Sequence, residues 1–213
     1  MLVVHHLGKS QSERIVWLCE ELGIAYELKV YDRDKVTRLA PPEYKKLHPI
    51  GAAPVIDDGD VRIAESGAIV DYIVAKYGDG RLVLKPEHPD FAQFLYWSHF
   101  ANGTFQPATG RNMILSRLDL PADNPVLVAM KGRLALALGS LEERLSANQF
   151  LAGATFTTAD IMVVFTLTTM RLFYAYDRKP YPAILAYLQR IGARPAYQRA
   201  MAKGDPDMTP LLA

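Results

Sequence analysis

The feature that most constrains the fold is a change of sequence pattern near residue 80. Before it, short apolar and β-branched runs typical of strands alternate with segments of helical periodicity. After it, no convincing strand pattern occurs. The predicted strands cover about residues 2–6, 26–31, 54–57 and 61–63, and the predicted helices about 15–22, a short one within 35–47, and 66–77. This βαβαββα order predicts a small α/β domain followed by an all-α helical domain.

The boundary between the two predicted domains is a segment rich in turn-forming residues. Residues 81–90 include Pro86 and Pro89 and are predicted to link domain 1–80 to helical domain 91–213. In the second domain, helical signals are an N-cap and proline at Asn124-Pro125, a capping box at Thr157–Asp160, and prolines at 182 and 195. A long helical stretch at 91–117 is expected to bend near Gly103, Pro107 or Gly110.

Charge and cysteine content exclude several classes of function. The 213-residue chain carries 24 Lys and Arg against 23 Asp and Glu, so the clustered positive charge of a nucleic-acid binder is not expected. Its single cysteine, Cys19, cannot form an internal disulfide or a cysteine-based zinc site, so no metal is predicted. No signal peptide or membrane span is recognisable, which predicts a soluble cytoplasmic protein without a membrane partner.

Ser10 is the first candidate for chemistry, because it lies between the first strand and the first helix. Unpaired N–H groups at a helix start favour an anion, and a hydroxyl there can bind a thiolate. A plain helix cap, through the spacing Ser10-x-x-Glu13, explains the same residue. Ser12 competes with Ser10 for both roles.

Two further motifs could bind a peptide-like ligand. Pro54 opens a predicted strand, and a cis Ala53–Pro54 bond would turn the Ala53 backbone outward to pair with an extended ligand, although a simple strand start explains the proline equally. Glu65 and Ser66 precede the third predicted helix. A hydroxyl and free N–H groups there suit a carboxylate and Glu65 suits an ammonium group, but capping alone also explains Ser66.

Aromatic and polar residues of the helical part could line an apolar pocket, but core packing explains most of them as well. They are Tyr96, His99, Asn102, Phe105, Met113 and Tyr174. Elsewhere, His5 and His6 point to opposite faces of a strand and are predicted to be structural. Cys19 falls within helical apolar spacing and is predicted to be buried and unreactive.

Together these motifs resemble the cytosolic glutathione S-transferases along nearly the whole chain. The resemblance rests on Ser10-x-x-x-Arg14 leading into Trp17–Gly23, on His48–Val55, on Glu65–Ile73, on Thr157–Asp160 and on Arg194–Tyr197. It implies a thioredoxin-like N-terminal domain joined to a helical domain, and a bacterial-type protein with a serine-type, theta/delta-like site. It is unlike the tyrosine-type and cysteine-type classes.

The resemblance also implies roles for individual residues. Ser10 would be the catalytic serine, with Ser12 as the alternative. Ala53 and Pro54 would bind the cysteinyl part of glutathione, and Glu65 and Ser66 its γ-glutamyl part. Gly51 and Gly67 stand where some relatives carry side chains that contact glutathione, so Lys35, Arg38, Lys45 and Lys46 are candidates for binding its glycyl carboxylate.

The function implied is a transferase in which glutathione, as co-substrate, attacks a small hydrophobic electrophile held by the helical domain. Isomerisation, dehalogenation or peroxide reduction could use the same site. A non-catalytic binding protein of this fold is the alternative of a different kind. A homodimer is expected, with Asn102 contributing to the partner's site.

Overall fold

The computed structural model describes residues 1–213, which form two compact units. The first comprises residues 1–83 and 192–210, and the second residues 84–191 and 211–213. The first unit contains β1 (Leu2–Leu7), α1 (Glu13–Leu22), β2 (Glu27–Tyr31), α2 (Pro42–Lys45), β3 (Val55–Asp58), β4 (Val61–Ala64), α3 (Ser66–Tyr77) and α9 (Pro195–Gly204). The second contains α4 (Phe91–Phe100), a π-helical segment (Ala101–Phe105), α5 (Gln106–Leu115), α6 (Pro125–Ala147), α7 (Thr158–Leu167), a 3₁₀ segment (Thr169–Leu172) and α8 (Pro182–Gly192).

The first unit is built on a mixed four-stranded sheet with the strand order β2-β1-β3-β4. β1 runs parallel to β2 and antiparallel to β3, and β3 forms a hairpin with β4. The hairpin turns at Asp58-Gly59-Asp60 as the Asp-Gly pair predicts, with Gly59 at φ +63°. The predicted βαβαββα order is therefore confirmed, and so is the helical character of the second unit.

α1 is the central helix of the first unit and packs against the sheet, α3 and α9. Its apolar side chains Ile15, Val16 and Leu18 are fully buried, and Gly23 ends it in the left-handed conformation that the sequence predicts. Two acidic residues at its end bind α9 and its N-cap residue, Arg194. Glu20 accepts hydrogen bonds from Arg199 and Lys203, and Glu21 accepts two from Arg194.

α9 belongs to the first unit and not to the unit that contains α4–α8, although the sequence-based boundaries place all of residues 91–213 in one domain. The contact surface includes an edge-to-face pair of Trp17 and Tyr197 with ring centroids 4.9 Å apart. Burial favours a raised pKa for Glu20, but hydrogen bonds from Lys203, Tyr26 and Arg199 outweigh it and lower the pKa. Glu20 is therefore held as a carboxylate between α1 and α9.

The second unit is mostly helical, and a π-helical segment lies in the stretch where the sequence predicts a bend. α4 and α5 are joined by the π-helical segment Ala101–Phe105, and Pro107 is the second residue of α5. Proline cannot donate a backbone hydrogen bond, so the regular helical ladder is interrupted at this point. Asn124 caps α6 as predicted, its Oδ1 accepting from the N–H groups of Val126 and Leu127.

α7 forms the most buried part of the second unit. All ten of its residues are buried, and its single charged residue is Asp160. This carboxylate accepts hydrogen bonds from the N–H groups of Leu151 and Thr157 and from the hydroxyl of Tyr187. α7 ends at Leu167, and a 3₁₀ segment follows at Thr169–Leu172. None of the chain's helices combines the length and apolar character that a bilayer span requires.

Candidate functional site

Ser10 lies in the short segment between the end of β1 and the start of α1. The segment turns sharply at Lys9, which has φ +54°. The helix begins at Glu13 with Ser12 in the N-cap position, and Ser12 makes no side-chain capping hydrogen bond. Ser10 contacts Glu13 only through its backbone carbonyl, which accepts from the Glu13 N–H at 3.1 Å. The capping box predicted for Ser10 and Glu13 is therefore wrong, and the Ser10 hydroxyl is not used as a helix cap.

The two serine hydroxyls differ in how many partners they already have. Ser12 Oγ lies near four hydrogen-bonding atoms: Leu7 N at 3.1 Å, Leu7 O at 3.2 Å, His6 Nδ1 at 2.9 Å and Ser10 Oγ at 2.7 Å. Ser10 Oγ has two, Ser12 Oγ and the Ser12 N–H at 3.2 Å. A hydroxyl forms about three hydrogen bonds, so Ser10 retains capacity for a ligand and Ser12 does not.

The Ala53–Pro54 peptide bond is cis, which the sequence left open. Pro54 is buried and Ala53 precedes β3, outside the β3–β4 ladder that begins at Val55. The Ala53 carbonyl accepts a hydrogen bond from Gln11 Nε2 at 3.0 Å. A carbonyl oxygen has a second lone pair, so the Ala53 backbone can also accept from a ligand.

Glu65 and Ser66 lie where β4 passes into α3. Glu65 is exposed at φ +72°, a backbone conformation that is rare for residues other than glycine and often marks a functional position. Ser66 is buried at the first position of α3, and its Oγ accepts from Arg14 Nη1 at 3.1 Å. Burial lowers the pKa of Arg14 to about 9, which still leaves the guanidinium charged at neutral pH.

Gln11 connects these elements and was missed by the sequence reasoning. Its amide binds the Ala53 carbonyl, while its Oε1 accepts from Arg14 at 2.8 Å and from Ser66 at 3.3 Å. The segment that carries Ser10 is thereby joined to the residues before β3 and to the start of α3. Gln11 lies inside the Ser10–Arg14 motif, but no spacing rule distinguishes it from an ordinary surface glutamine.

The candidates for binding a carboxylate fall into two groups. Lys35 and Arg38 line a cavity of about 460 Å³, together with Lys9, Arg33 and Asp205, whereas Lys45 and Lys46 are not among its lining residues. Gly51 adopts φ +63°, so a glycine there satisfies the backbone rather than the ligand.

The six residues predicted to line a second pocket occupy different environments. Phe105 is fully buried and stacks on Phe100 with ring centroids 6.1 Å apart, as expected for core packing. Tyr96 and His99 are exposed on α4. Asn102, Met113 and Tyr174 are half-buried. Their assignment to a pocket stays a prediction.

Cys19 and His5, two further side chains capable of chemistry, lie in environments that the fold explains. Burial raises the pKa of the Cys19 thiol to about 12, so this cysteine is not nucleophilic at neutral pH. His5 lies between Tyr31 and Asp57, on the opposite side of β1 from His6. Hydrogen bonds from Arg62, with a smaller contribution from His5, lower the pKa of Asp57 to about 2. No group of three or more histidine, cysteine or acidic side chains is placed to hold a metal ion.

Comparison with known proteins identifies the family. Residues 1–75 match the model of the glutathione S-transferase N-terminal domain, and residues 129–190 match that of the C-terminal domain. Glutathione S-transferase 3 of Schizosaccharomyces pombe is 32% identical over 100% of this chain and 92% of its own length. The chain therefore belongs to the glutathione S-transferase family.

Solved structures agree with this assignment. A glutathione S-transferase from Actinobacillus pleuropneumoniae is 32% identical, with a TM-score of 0.88 over 96% of this chain and 93% of its own. The glutathione transferase URE2P8 from Phanerochaete chrysosporium, solved with oxidised glutathione, is 27% identical, with a TM-score of 0.73 over 95% of this chain and 94% of its own.

Proposed function

We propose that this protein is a glutathione transferase that binds glutathione in its first unit and stabilises the thiolate with the hydroxyl of Ser10. The observation that carries the proposal is the Gln11 network. It joins the segment of Ser10 to Ala53 and Ser66, the residues proposed to bind the cysteinyl and γ-glutamyl parts of the tripeptide. The site would thus be of the serine, theta/delta-like type.

The number of hydrogen-bonding neighbours of each hydroxyl supports Ser10, and not Ser12, as the group that contacts the thiol. Ser12 Oγ already has four hydrogen-bonding neighbours, whereas Ser10 Oγ can bind one more atom. Ser10 also precedes the start of α1, where the partial positive charge of the helix favours an anion.

Ser10 and the start of α1 can supply the free energy that is needed to lower the pKa of the thiol. A free thiol has a pKa near about 8.5, and lowering it by two units requires about 2.7 kcal/mol of preference for the anion. A hydrogen bond to a charged group contributes about 1.5–3 kcal/mol, and a helix N-terminus about 0.3–1 kcal/mol. A strong base in direct contact with the thiol is therefore not required.

The thiolate would then attack an electrophilic carbon of a small hydrophobic co-substrate. The second unit is proposed to bind this compound through the half-buried and exposed side chains described above. We also propose a cytoplasmic homodimer, and the exposed apolar residues Leu95 and Ile114 on α4 and α5 support an interface on that unit.

The test is a pH titration of the ultraviolet thiolate absorbance of bound glutathione. In the wild type we expect the thiol to titrate well below its value in free glutathione, and in Ser10→Ala we expect an upward shift with binding retained. A bound thiol that titrates as in solution would refute thiolate activation. Absence of binding would refute the assignment of glutathione as the ligand.

A further inference from the structure

A chain of hydrogen bonds leads from Ser10 into the interior of the first unit. Ser10 Oγ lies 2.7 Å from Ser12 Oγ, Ser12 Oγ lies 2.9 Å from His6 Nδ1, and His6 Nε2 lies 3.1 Å from Asp205 Oδ2. All four residues are buried, and His6 is fully inaccessible to solvent. A hydroxyl, a second hydroxyl, an imidazole and a carboxylate thus form one continuous path.

The direction of each hydrogen bond follows from the number of protons available. As a carboxylate, Asp205 accepts from Nε2–H, which leaves Nδ1 of a neutral His6 as an acceptor. Ser12 donates to Nδ1 at 2.9 Å in preference to the Leu7 carbonyl at 3.2 Å. Ser12 then accepts from the Leu7 N–H and from the Ser10 O–H. In this state Ser10 presents a lone pair, and not a proton, to a ligand.

We propose that the His6–Asp205 pair accepts the proton of the bound glutathione thiol through Ser10 and Ser12. The proposal rests on the function proposed above. The thiol S–H bond breaks and its proton passes to Ser10 Oγ, the Ser10 proton passes to Ser12 Oγ, and the Ser12 proton passes to His6 Nδ1. The thiol becomes a thiolate, the imidazole becomes an imidazolium, and no electrons are exchanged with another reactant.

The transfer also reverses the hydrogen bonds between His6, Ser12, Ser10 and the ligand, while His6 Nε2–H still donates to Asp205. Nδ1–H now donates to Ser12, Ser12 donates to Ser10, and the Ser10 O–H donates to the thiolate. One movement of protons thus creates the anion and turns the stabilising donor toward it. Ser12 and His6 act as positioning residues, because Ser10 is the one residue of the three that contacts the thiol.

Neighbouring residues hold the His6–Asp205 pair in place. Asp205 follows α9 directly, and its second oxygen accepts from the Lys9 N–H at 2.8 Å, next to Ser10. A Cβ atom at Gly204 would lie 3.1 Å from His6 Nε2, so the glycine leaves the room that the close approach requires. The charged group that acts on Asp205 from the segment after β2 is Arg33, which binds the Gly8 carbonyl at 2.8 Å. α1 contributes Ser12 to His6 from the other side.

The experiment counts the protons released to solution for each thiolate formed when glutathione binds at neutral pH. Thiolate is measured by its ultraviolet absorbance, and released protons by an indicator dye in weak buffer. S-methylglutathione, which has no thiol proton, gives the background from other groups. In the wild type we expect almost no proton per thiolate, because the proton stays on His6. About one proton per thiolate in the wild type would overturn the proposal.

Variants locate the acceptor. His6→Asn keeps an acceptor near the Nδ1 position but cannot be protonated, so we expect release to rise to about one proton per thiolate and the thiolate to form at higher pH. Ser12→Ala interrupts the path and should give the same result. His5→Asn, the same change on the opposite side of β1, should behave as the wild type. Equal proton release in His6→Asn and the wild type would contradict the assignment.

The two proposals fail in different ways. If the wild type forms no thiolate with bound glutathione, the proposed function is refuted and the relay with it. If thiolate forms and its proton is released to solvent, thiolate activation stands and only the relay is refuted. Thermal unfolding of His6→Asn and Ser12→Ala shows whether they fold, and the wild-type proton count decides the matter without them.

Discussion

α1 and α7 are both ten-residue helices that are buried along almost their whole length, yet they hold polar groups in different ways. α1 buries Glu13, Arg14 and Glu20, and its charged groups bind side chains of other elements, including Ser66 and Arg199. α7 buries a single charged residue, Asp160, which binds backbone and a tyrosine within its own unit. The first unit therefore uses buried polarity to join its elements, including those of the candidate site, and the second uses it to stabilise its core.

The largest effect is expected in the helical unit. Asp160→Ala leaves the N–H groups of Leu151 and Thr157 and the hydroxyl of Tyr187 without their common acceptor. Buried donors without partners cost about 1–3 kcal/mol each, and partial relaxation suggests a loss of about 3–5 kcal/mol in unfolding free energy. Urea denaturation followed by circular dichroism measures it. The exposed Asp119→Ala should change stability by less than about 0.5 kcal/mol. A similar small change in Asp160→Ala would show that α7 does not depend on this carboxylate.

The next effect is expected on activity and not on stability. Ser10→Ala removes one hydrogen bond to the thiolate, worth about 1.5–3 kcal/mol, so kcat/KM for glutathione conjugation should fall about 10-fold to 100-fold. The unfolding free energy should change by about 1 kcal/mol or less. Steady-state kinetics and urea denaturation separate the two. Ser146→Ala, an exposed serine of α6, is the matched control and should leave both values unchanged. A Ser10→Ala protein that unfolds easily would place Ser10 with the structural residues typified by Asp160.

An acidic residue of the sheet should make the first unit sensitive to pH. Asp58 accepts from Lys76 and Tyr77 at 2.6 Å each and from Tyr72 at 2.9 Å. These hydrogen bonds, that of Lys76 first, lower its pKa to about 2. Because the folded-state pKa lies below the unfolded value, the contribution is complete above the unfolded pKa and disappears as pH falls through about 2.

The test compares wild type with Asp58→Asn across this range. At neutral pH the variant should be about 1–2 kcal/mol less stable, a value reduced for the solvent exposure of Lys76. The difference should shrink between about pH 4 and pH 2. Urea denaturation at each pH measures it, with Asp60→Asn in the exposed turn as the control. A difference that does not depend on pH would show that the Asp58 charge is not the stabilising feature.

The smallest effect is expected at Gln11. Gln11→Ala removes the hydrogen bond to the Ala53 carbonyl and the acceptor that serves Ser66 and Arg14. A net contribution of about 1 kcal/mol corresponds to roughly a fivefold weaker affinity for glutathione, measurable by calorimetry. Gln198→Ala on α9 removes a comparable side-chain bond to a backbone carbonyl and should not change affinity. Unchanged affinity in Gln11→Ala would separate the network from ligand binding.

The sequence predicted most elements of both units because their signals are local. Gly23, Gly59 and Asn124 specify a helix end, a turn and a helix start through their own conformations and hydrogen bonds. The capping box at Ser10 failed because the same hydroxyl has a closer partner in Ser12. Spacing alone does not reveal such competition.

The sequence pointed to only part of the candidate site for the same reason. Ser10, Pro54 and Ser66 were proposed because each stands at the junction of two elements, and Gln11 was missed because its role depends on three partners in other positions. The packing of α9 on α1 was also missed, because the ion pairs of Arg199 with Glu20 and of the N-cap residue Arg194 with Glu21 join residues more than 170 positions apart.

The sequence by itself determined the order and type of the secondary structure, since periodicity, caps and turns act over a few residues. Only the tertiary structure decided which way the polar side chains are directed. His6 and Asp205 are separated by 199 positions, and no local pattern relates them. They meet because α9 packs on α1 and brings its end to β1, where a buried imidazole has few other partners.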